Sequence, residues 1–348
     1  MKLHKGLGDF FGLDIGTNAV RVVQLSKTGQ GWSLVNYGYS PIENNLTSSD
    51  SPEDKRRLGD IIMTTIGQSG IKTSNVALGL PSGKTFTTII DVPKVSEQEL
   101  KASMKYQVDQ YVPMAADDAK TDWALLGDSL RAPGQYEILL SSVAKSYAEE
   151  RLELVESLGL NVIAEEPDPI AVVRSLAPLG SQDAQIIIDI GENSTDLAVI
   201  YGDSPRLVRT VPTGLQSMVR AAVQNLNVQD TQARQFILKF GLAPDRLDGQ
   251  VLKSIDGVLD NFASELSKSV KFCQTRYPSL PVSGVILSGF GATIPQLDQY
   301  IAAKLGIPAS LGNPWQRVAV SQSDQQRLAS VAYEFAAVVG LAQRSNKI

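Results

Sequence analysis

Two segments half a chain apart share one pattern. FFGLDIGTNAVRVVQL (10–25) and QIIIDIGENSTDLAVI (185–200) are each a pair of apolar β-type runs joined by a short polar turn containing a glycine. That is hairpin grammar. Setting Asp14 over Asp189 also matches Ile15 with Ile190, Gly16 with Gly191 and Asn18 with Asn193. The offset, from 14 to 189, is far too long for a solenoid repeat, so the pattern predicts one architectural unit used twice. A chain of 348 residues has room for this, since about 150 residues per domain gives two domains.

Composition removes several function classes. The single histidine, His4, leaves no Ser-His-Asp triad, no Cys-His pair and no histidine-based metal site. The single cysteine, Cys273, cannot form an internal disulfide, which fits a reducing compartment and reads as a small core residue. A formal net charge of −5 offers no cationic surplus for a phosphate backbone, so nucleic acid is not an expected partner. No window approaches about 18 consecutive apolar residues, and MKLHKGLGDFF lacks an apolar h-region. Neither a membrane span nor a signal peptide is expected, and the expected location is cytoplasmic.

Between the hairpins lies a stretch with its own strands and helices. Ser96-Glu97-Gln98-Glu99 is a capping box that predicts a helix start. Leu100, Met104, Val108 and Tyr111 then form one apolar stripe, stopped by Pro113. The strand-like runs FTTIIDVP (86–93) and YEILLSSVA (136–144) flank it, and a second helix runs from about Ser146 to Leu158, giving an α+β unit over 83–159. NVIAEEP reads as a strand leading into a helix. Further on, a helix from about Val258 to Cys273 puts Val258, Phe262, Leu266 and Val270 on one face and Glu265 and Lys268 on another. VSGVILSGFGATIPQLDQYIAAKLGI then reads as a buried strand, a turn at Gly289 and Gly291, and a helix.

Phosphate chemistry is the theme of the motifs. Gly79-Leu80-Pro81-Ser82-Gly83-Lys84-Thr85 resembles a P-loop, but three residues separate its glycines where four are needed, and Pro81 removes an amide donor. It reads as an ordinary connection into the inserted unit. The two Asp-Ile-Gly hairpins are more informative as a pair. An Asp at the end of a buried strand can aim its carboxylate at a cation or its water shell, and a glycine turn brings backbone amides close to phosphate oxygens. Two such turns could clamp a polyphosphate, with Asp14 and Asp189 sharing one Mg²⁺ mainly through water. Gly289 and Gly291 would add a close backbone approach to a base or ribose.

DIGTNAVRVV, AEEPDPIAVV, DIGENSTDLAVI and LSGFGATIPQL resemble, in that order, the phosphate-1, connect-1, phosphate-2 and adenosine segments of the actin-like ATPase superfamily. The resemblance implies an α/β actin-like ATPase fold, two α/β domains around a nucleotide cleft. The stretch IIDVPKVSEQELKASMKYQVDQYVPMAADDAKTDWALLG is similar to the corresponding segment of the type IV pilus assembly protein family PilM, a relative of the cell-division protein FtsA. With EFAAVVGLAQR, that resemblance covers essentially the whole sequence. It implies an FtsA-type SHS2-like α+β subdomain inserted at 83–159. The first actin-like domain would comprise 1–82, 160–182 and a C-terminal helix at about 328–345. The second would comprise 183–327, with a smaller subdomain at about 228–278. FtsA proteins carry a C-terminal amphipathic membrane helix after a linker, whereas LAQRSNKI follows the last apolar helix here, which favours the pilus family.

By the superfamily pattern, Gly16, Thr17 and Asn18 contact the β- and γ-phosphates of ATP, and Gly191, Asn193, Ser194 and Thr195 face them. The bland reading is two stable hairpin turns with polar caps. Gly214, after Thr213, stands where relatives commonly have a glycine pair before a helix. Glu265 and Lys268 match an adenosine-side pattern, against the alternative of an i, i+3 surface ion pair. Ala233-Arg234-Gln235-Phe236-Ile237 departs from the Ala-Glu-x-x-Lys of relatives at Arg234 and Ile237. Glu165 and Glu166 lie where a catalytic residue positioning the hydrolytic water would come from, although adjacent carboxylates also occur at solvated strand ends. The implied cofactors are ATP and Mg²⁺, with Asp14 and Asp189 on the metal, slow or absent turnover, and nucleotide-dependent domain closure. The family implies a partner, the N-terminal cytoplasmic peptide of PilN, in a groove between the first domain and the inserted subdomain. It also implies other inner-membrane pilus platform proteins, and a place at the inner face of the cytoplasmic membrane through the partner. An FtsA-like polymerising scaffold, or a slow ATPase or phosphotransferase, remains the alternative.

Overall fold

The largely buried runs FGLDI (11–15) and AQIIIDI (184–190), each followed by a tight glycine turn, form the centres of two separate sheets. The structure is a computed structural model that describes residues 9–344 apart from 30, 44, 45, 179 and 182; His4 lies outside the described residues. The chain divides into two compact units. One comprises Met1–Ser175, Trp315–Arg327 and Ala337–Ile348, the other Leu176–Pro314 and Leu328–Ala336.

In the first unit, β1 (Phe11–Ile15), β2 (Ala19–Thr28) and β3 (Gly31–Pro41) form an antiparallel meander. β4 (Asn75–Leu80) lies parallel to β1. The insertion then supplies β5 (Thr85–Pro93), β6 (Ala119–Asp128) and β7 (Gln135–Ala144), which form their own antiparallel sheet in the order β5-β7-β6. β8 (Asn161–Pro167) returns to the main sheet, parallel to β4. Val318–Ala319 adds a parallel edge beside β3, so Trp315–Arg327 belongs with the first unit although the sequence boundaries put it in the second half.

Helix α1 (Pro52–Ser69) starts with Pro at its first position and stops at Gly70 in the left-handed region (φ 82°), the usual asymmetry of helix ends. Its Leu58, Ile62 and Ile66 pack with Phe11, Leu13, Val20 and Val22 in the main core. Helix α2 (Glu97–Tyr111) carries the capping box, with both reciprocal bonds made by Ser96 and Glu99. Leu100 and Met104 are buried against Ile90, Val92, Ile138 and Leu140, and Val108 packs on the same cluster. Each fully buried side chain contributes about 1.5–3 kcal/mol. Tyr111 departs from the expected stripe and is exposed, because the helix ends there and the chain turns through Val112. Helix α3 (Lys145–Ser157) puts Ala148 against Leu80 and Val143 but Val155 into the main core, tying the insertion down at its exit. Helix α4 (Asp168–Leu176) follows β8. The P-loop look-alike is the end of β4 and a single 3₁₀ turn, Ser82–Lys84, as expected for a connection.

The second unit repeats the scheme. β9 (Ala184–Ile190), β10 (Thr195–Tyr201) and β11 (Ser204–Val211) are an antiparallel meander, β12 (Val282–Ser288) lies parallel to β9, and β13 (Ala309–Leu311) lies parallel to β12. Its helices are α5 (Leu215–Leu226), α6 (Asp230–Phe240), α7 (Gln250–Arg276) and α8 (Leu297–Leu305). α7 is longer than its predicted span, and Leu259 rather than Val258 joins Phe262, Leu266 and Val270 on the buried face. Residues 328–336 pack with this unit, where the amide of Gly289 donates to the carbonyl of Tyr333 at 3.0 Å.

Candidate functional site

The two expected phosphate turns have the same backbone. Gly16 N donates to Ala19 O at 3.0 Å in the first, and Gly191 N donates to Ser194 O at 2.9 Å in the second. Asp14 therefore stands directly across from Arg21, and Asp189 directly across from Asp196, because an antiparallel register is fixed by its turn. Side chains opposite each other share a sheet face and interact. The duplicated architecture thus sets Asp against Arg in one copy and Asp against Asp in the other.

In the first unit, Arg21 Nη1 donates to Asp14 Oδ2 at 3.1 Å, and Arg21 Nη2 donates to Asn18 Oδ1 at 3.1 Å. The guanidinium also sits 5.5 Å from the ring centre of Tyr39, its neighbour on β3. Asp14 and Arg21 are both buried. Burial pushes the Asp14 carboxyl up, against the downward pull of Arg21. A Cβ at Gly16 would come 2.9 Å from Arg21 Nη1 and 3.2 Å from Ala19 O. Thr17 and Asn18 remain half-buried at the rim of the turn.

In the second unit, Asp196 accepts a 2.7 Å bond from Thr210 Oγ1. Asn193 is exposed and Ser194 half-buried at the turn. Thr195, expected to face phosphate, is fully buried and donates to Thr213 O at 2.7 Å, so its hydroxyl shapes the turn from behind. Gly214 caps α5 by close packing: a Cβ would lie 2.6 Å from Glu192 O. The first amides of α5, Leu215 N and Gln216 N, donate to Gly191 O and Glu192 O at 3.1 and 2.9 Å. Two of the helix's four orphan donors are thereby satisfied by the turn itself. Gly289 and Gly291 are buried, and both are pressed against Ile190, the residue before Gly191.

Arg234, the departure noted in the sequence, grips Glu192 with both guanidinium nitrogens, one of the bonds at 3.0 Å, and donates to Gln216 Oε1 at 2.7 Å. The Glu192 side chain is almost wholly buried. A bidentate pair of this kind fixes both position and orientation. Glu265 and Lys268 form the i, i+3 ion pair at 2.6 Å, and Glu265 also accepts from Arg209 at 2.9 Å. These partners hold the Glu265 carboxyl below its ordinary range, Lys268 most strongly.

The adjacent carboxylates of β8 point to opposite faces, as alternation requires. Glu166 is buried and takes both guanidinium nitrogens of Arg174, with Arg344 at 3.2 Å. Arg174 also donates to Gly340 O at 2.8 Å, so the cluster joins β8, α4 and the C-terminal helix Ala336–Ala342. The Glu166 carboxylate accepts from both arginines. Glu165 is half-buried, with Oε1 buried and without a hydrogen-bond partner among the described residues. Burial pushes its carboxyl up, opposed by Lys120 and reinforced by Glu156.

The residues fit an anion better than a metal. Thr17, Asn18, Asn193 and Ser194 present hydroxyls and amides at the turn rims. Asp14, expected on Mg²⁺, already has its counter-ion in Arg21, and a divalent cation beside a buried guanidinium would be repelled. Asp189 stands across from Asp196 in the second unit. Sequence reasoning missed Arg21, Arg174 and Arg344. Only Arg21 left a signal, since the turn at Gly16 sets the register that brings it to Asp14.

A family description, type IV pilus assembly protein PilM, matches residues 12–346. Among solved structures, a PilM-PilN type IV pilus biogenesis complex is similar with a TM-score of 0.80 and 21% identity, covering 96% of this chain and 98% of that one. The ethanolamine utilization protein EutJ from Carboxydothermus hydrogenoformans is similar at TM-score 0.54 and 15% identity, with 95% and 88% covered. MreB5 of Spiroplasma citri bound to AMPPNP is similar at TM-score 0.51 and 16% identity, with 95% and 94% covered. The fold is that of the actin-like ATPases, two α/β units built on one repeated hairpin plan. Among the described residues no helix is long and apolar enough to cross a membrane. With the match running through both turns and the whole insertion, the chain belongs to the type IV pilus assembly protein PilM family.

Proposed function

We propose that this chain is an adaptor of the type IV pilus inner-membrane assembly platform, binding the N-terminal cytoplasmic peptide of PilN and binding ATP with slow or absent turnover. The observation that carries the reading is the family match over 12–346, which includes the inserted unit as well as both turns. The similar solved structure is a complex of a PilM with a PilN, which supports the choice of partner. The insertion at 83–159 is read as the SHS2-like subdomain that forms the peptide groove with the rest of the first unit. Through that partner the protein sits at the inner face of the cytoplasmic membrane.

Gly16, Thr17 and Asn18 on one turn and Gly191, Asn193 and Ser194 on the other are the residues assigned to the nucleotide phosphates. Thr195 and Gly214 act behind the second turn, and Gly289 and Gly291 shape the strand end beside it. Slow turnover is supported by the fate of Glu166, whose carboxylate is committed to Arg174 and Arg344. In-line attack needs a positioned water, and a carboxylate with two guanidinium partners does not supply one.

The test is capture of the full chain on a sensor surface bearing the PilN N-terminal peptide. Saturable capture that a scrambled peptide does not reproduce is expected. Equal retention by both peptides, or none, overturns the adaptor reading. Concentration-dependent pelleting with ATP would then favour the scaffold, and phosphate release above a blank the enzyme.

A further inference from the structure

We propose that Arg21 replaces a divalent metal as the cation of the first phosphate turn, so that Asp14 is not a metal ligand and this turn receives nucleotide phosphate without Mg²⁺. The inference rests on the nucleotide-binding reading above. A buried carboxylate beside a phosphate turn is a liability, because it repels the phosphate it would sit near unless a cation lies between them. Here the cation is part of the chain. Arg21 lies opposite Asp14 in the hairpin register, donates to Asp14 Oδ2 at 3.1 Å, and is itself buried. Its second nitrogen holds Asn18 Oδ1, and its face meets Tyr39.

Three consequences of that geometry point one way. The charge of Asp14 is balanced before any ligand arrives. Arg21 is a positioning residue, since its bond to Asn18 sets the rim of the turn that the nucleotide meets. Gly16 leaves just enough room for the guanidinium, where a Cβ would stand 2.9 Å from Nη1. The second turn makes the contrast: 175 positions on, the residue matching Arg21 is Asp196, which keeps company with Asp189 and Thr210. The same hairpin therefore carries an internal cation in one unit and two acids in the other.

The experiment measures the affinity of the full chain for a non-hydrolysable ATP analogue in Mg²⁺ and in EDTA, and takes the ratio of the dissociation constant in EDTA to that in Mg²⁺. Wild type, Asp14→Asn, Arg21→Lys, Arg21→Gln and the Asp14→Asn/Arg21→Gln double variant are compared, with thermal melts to confirm folding. The ratio should be the same within about twofold for wild type, Asp14→Asn and Arg21→Lys, since lysine still places a positive charge beside Asp14. It should rise about tenfold or more in Arg21→Gln, where the uncovered carboxylate now needs a metal, and return in the double variant. A lost guanidinium that mattered only for packing would weaken both conditions alike and leave the ratio unchanged, which overturns the proposal. So does a wild-type Mg²⁺ dependence that Asp14→Asn abolishes. If Arg21→Gln does not fold, the Asp14→Asn comparison alone decides. No binding in either condition overturns the nucleotide reading and this inference together, whereas binding only with Mg²⁺ through Asp14 overturns this inference alone.

Discussion

Asp14 and Arg21 stand directly opposite each other on β1 and β2, joined at 3.1 Å and both buried. Removing one member of a buried pair leaves an uncompensated charge, and the cost is about 3–5 kcal/mol. Arg21→Gln and Asp14→Asn are each expected to lower stability on that scale in urea unfolding. The double variant should cost clearly less than the sum of the two. Additive losses would mean that the pair is not coupled.

The glycines of the second unit are packing residues before they are anything else. Gly214→Ala drives a Cβ to 2.6 Å from Glu192 O, and Gly291→Ala drives one into the Ile190 side chain. Each should destabilise the nucleotide-free protein by about 1–3 kcal/mol, read from its unfolding midpoint. A Gly214→Ala protein as stable as wild type would show that the turn has slack there.

Legibility in the sequence followed the range of the interaction. Adjacent or periodic signals were readable: the hairpin repeat, the Ser96/Glu99 capping box, and the Leu100 and Met104 stripe all stand in the structure. Tyr111 failed because periodicity cannot say where a helix's neighbours end. The partners of Glu166 were hidden for a different reason. Its partners Arg174 and Arg344 converge only when the C-terminal helix packs against α4, with Gly340 on the backbone of Ala171. Arg234 was visible as a departure, but its partner Glu192 lies 42 positions away and no local pattern links them.

Glu165 should make the stability of the protein depend on pH. Burial raises the Glu165 carboxyl above its ordinary 4.5, so the native state favours the protonated form. That contribution is complete at low pH and is lost as pH rises through the native value. Glu165→Gln should therefore gain stability relative to wild type on going from pH 4 to pH 7. Glu166→Gln should lose stability at pH 7, because Arg174 and Arg344 are left facing a neutral amide. A Glu165→Gln protein whose stability relative to wild type is unchanged between pH 4 and pH 7 would contradict this assignment.

Cys273 is a reporter of the second unit. Its thiol is buried in α7, and burial pushes it up to about 11. At pH 8 it should resist a thiol-specific aromatic disulfide until urea unfolds the chain, since the thiolate is the reactive form. The stability tied to this group is fully present below pH 9 and is lost as pH rises towards about 11. Fast labelling of the native protein at pH 8 would place the thiol nearer solvent than α7 does.

Binding of a nucleotide and of the PilN peptide by one chain is tested by calorimetric titration of the peptide into the full chain, nucleotide-free and saturated with ATP. Saturable binding in both states with a different affinity in each is expected, and by linkage the peptide must then shift ATP affinity by the same factor. Peptide binding identical with and without ATP would contradict nucleotide coupling. Absence of peptide binding in both would contradict the adaptor itself.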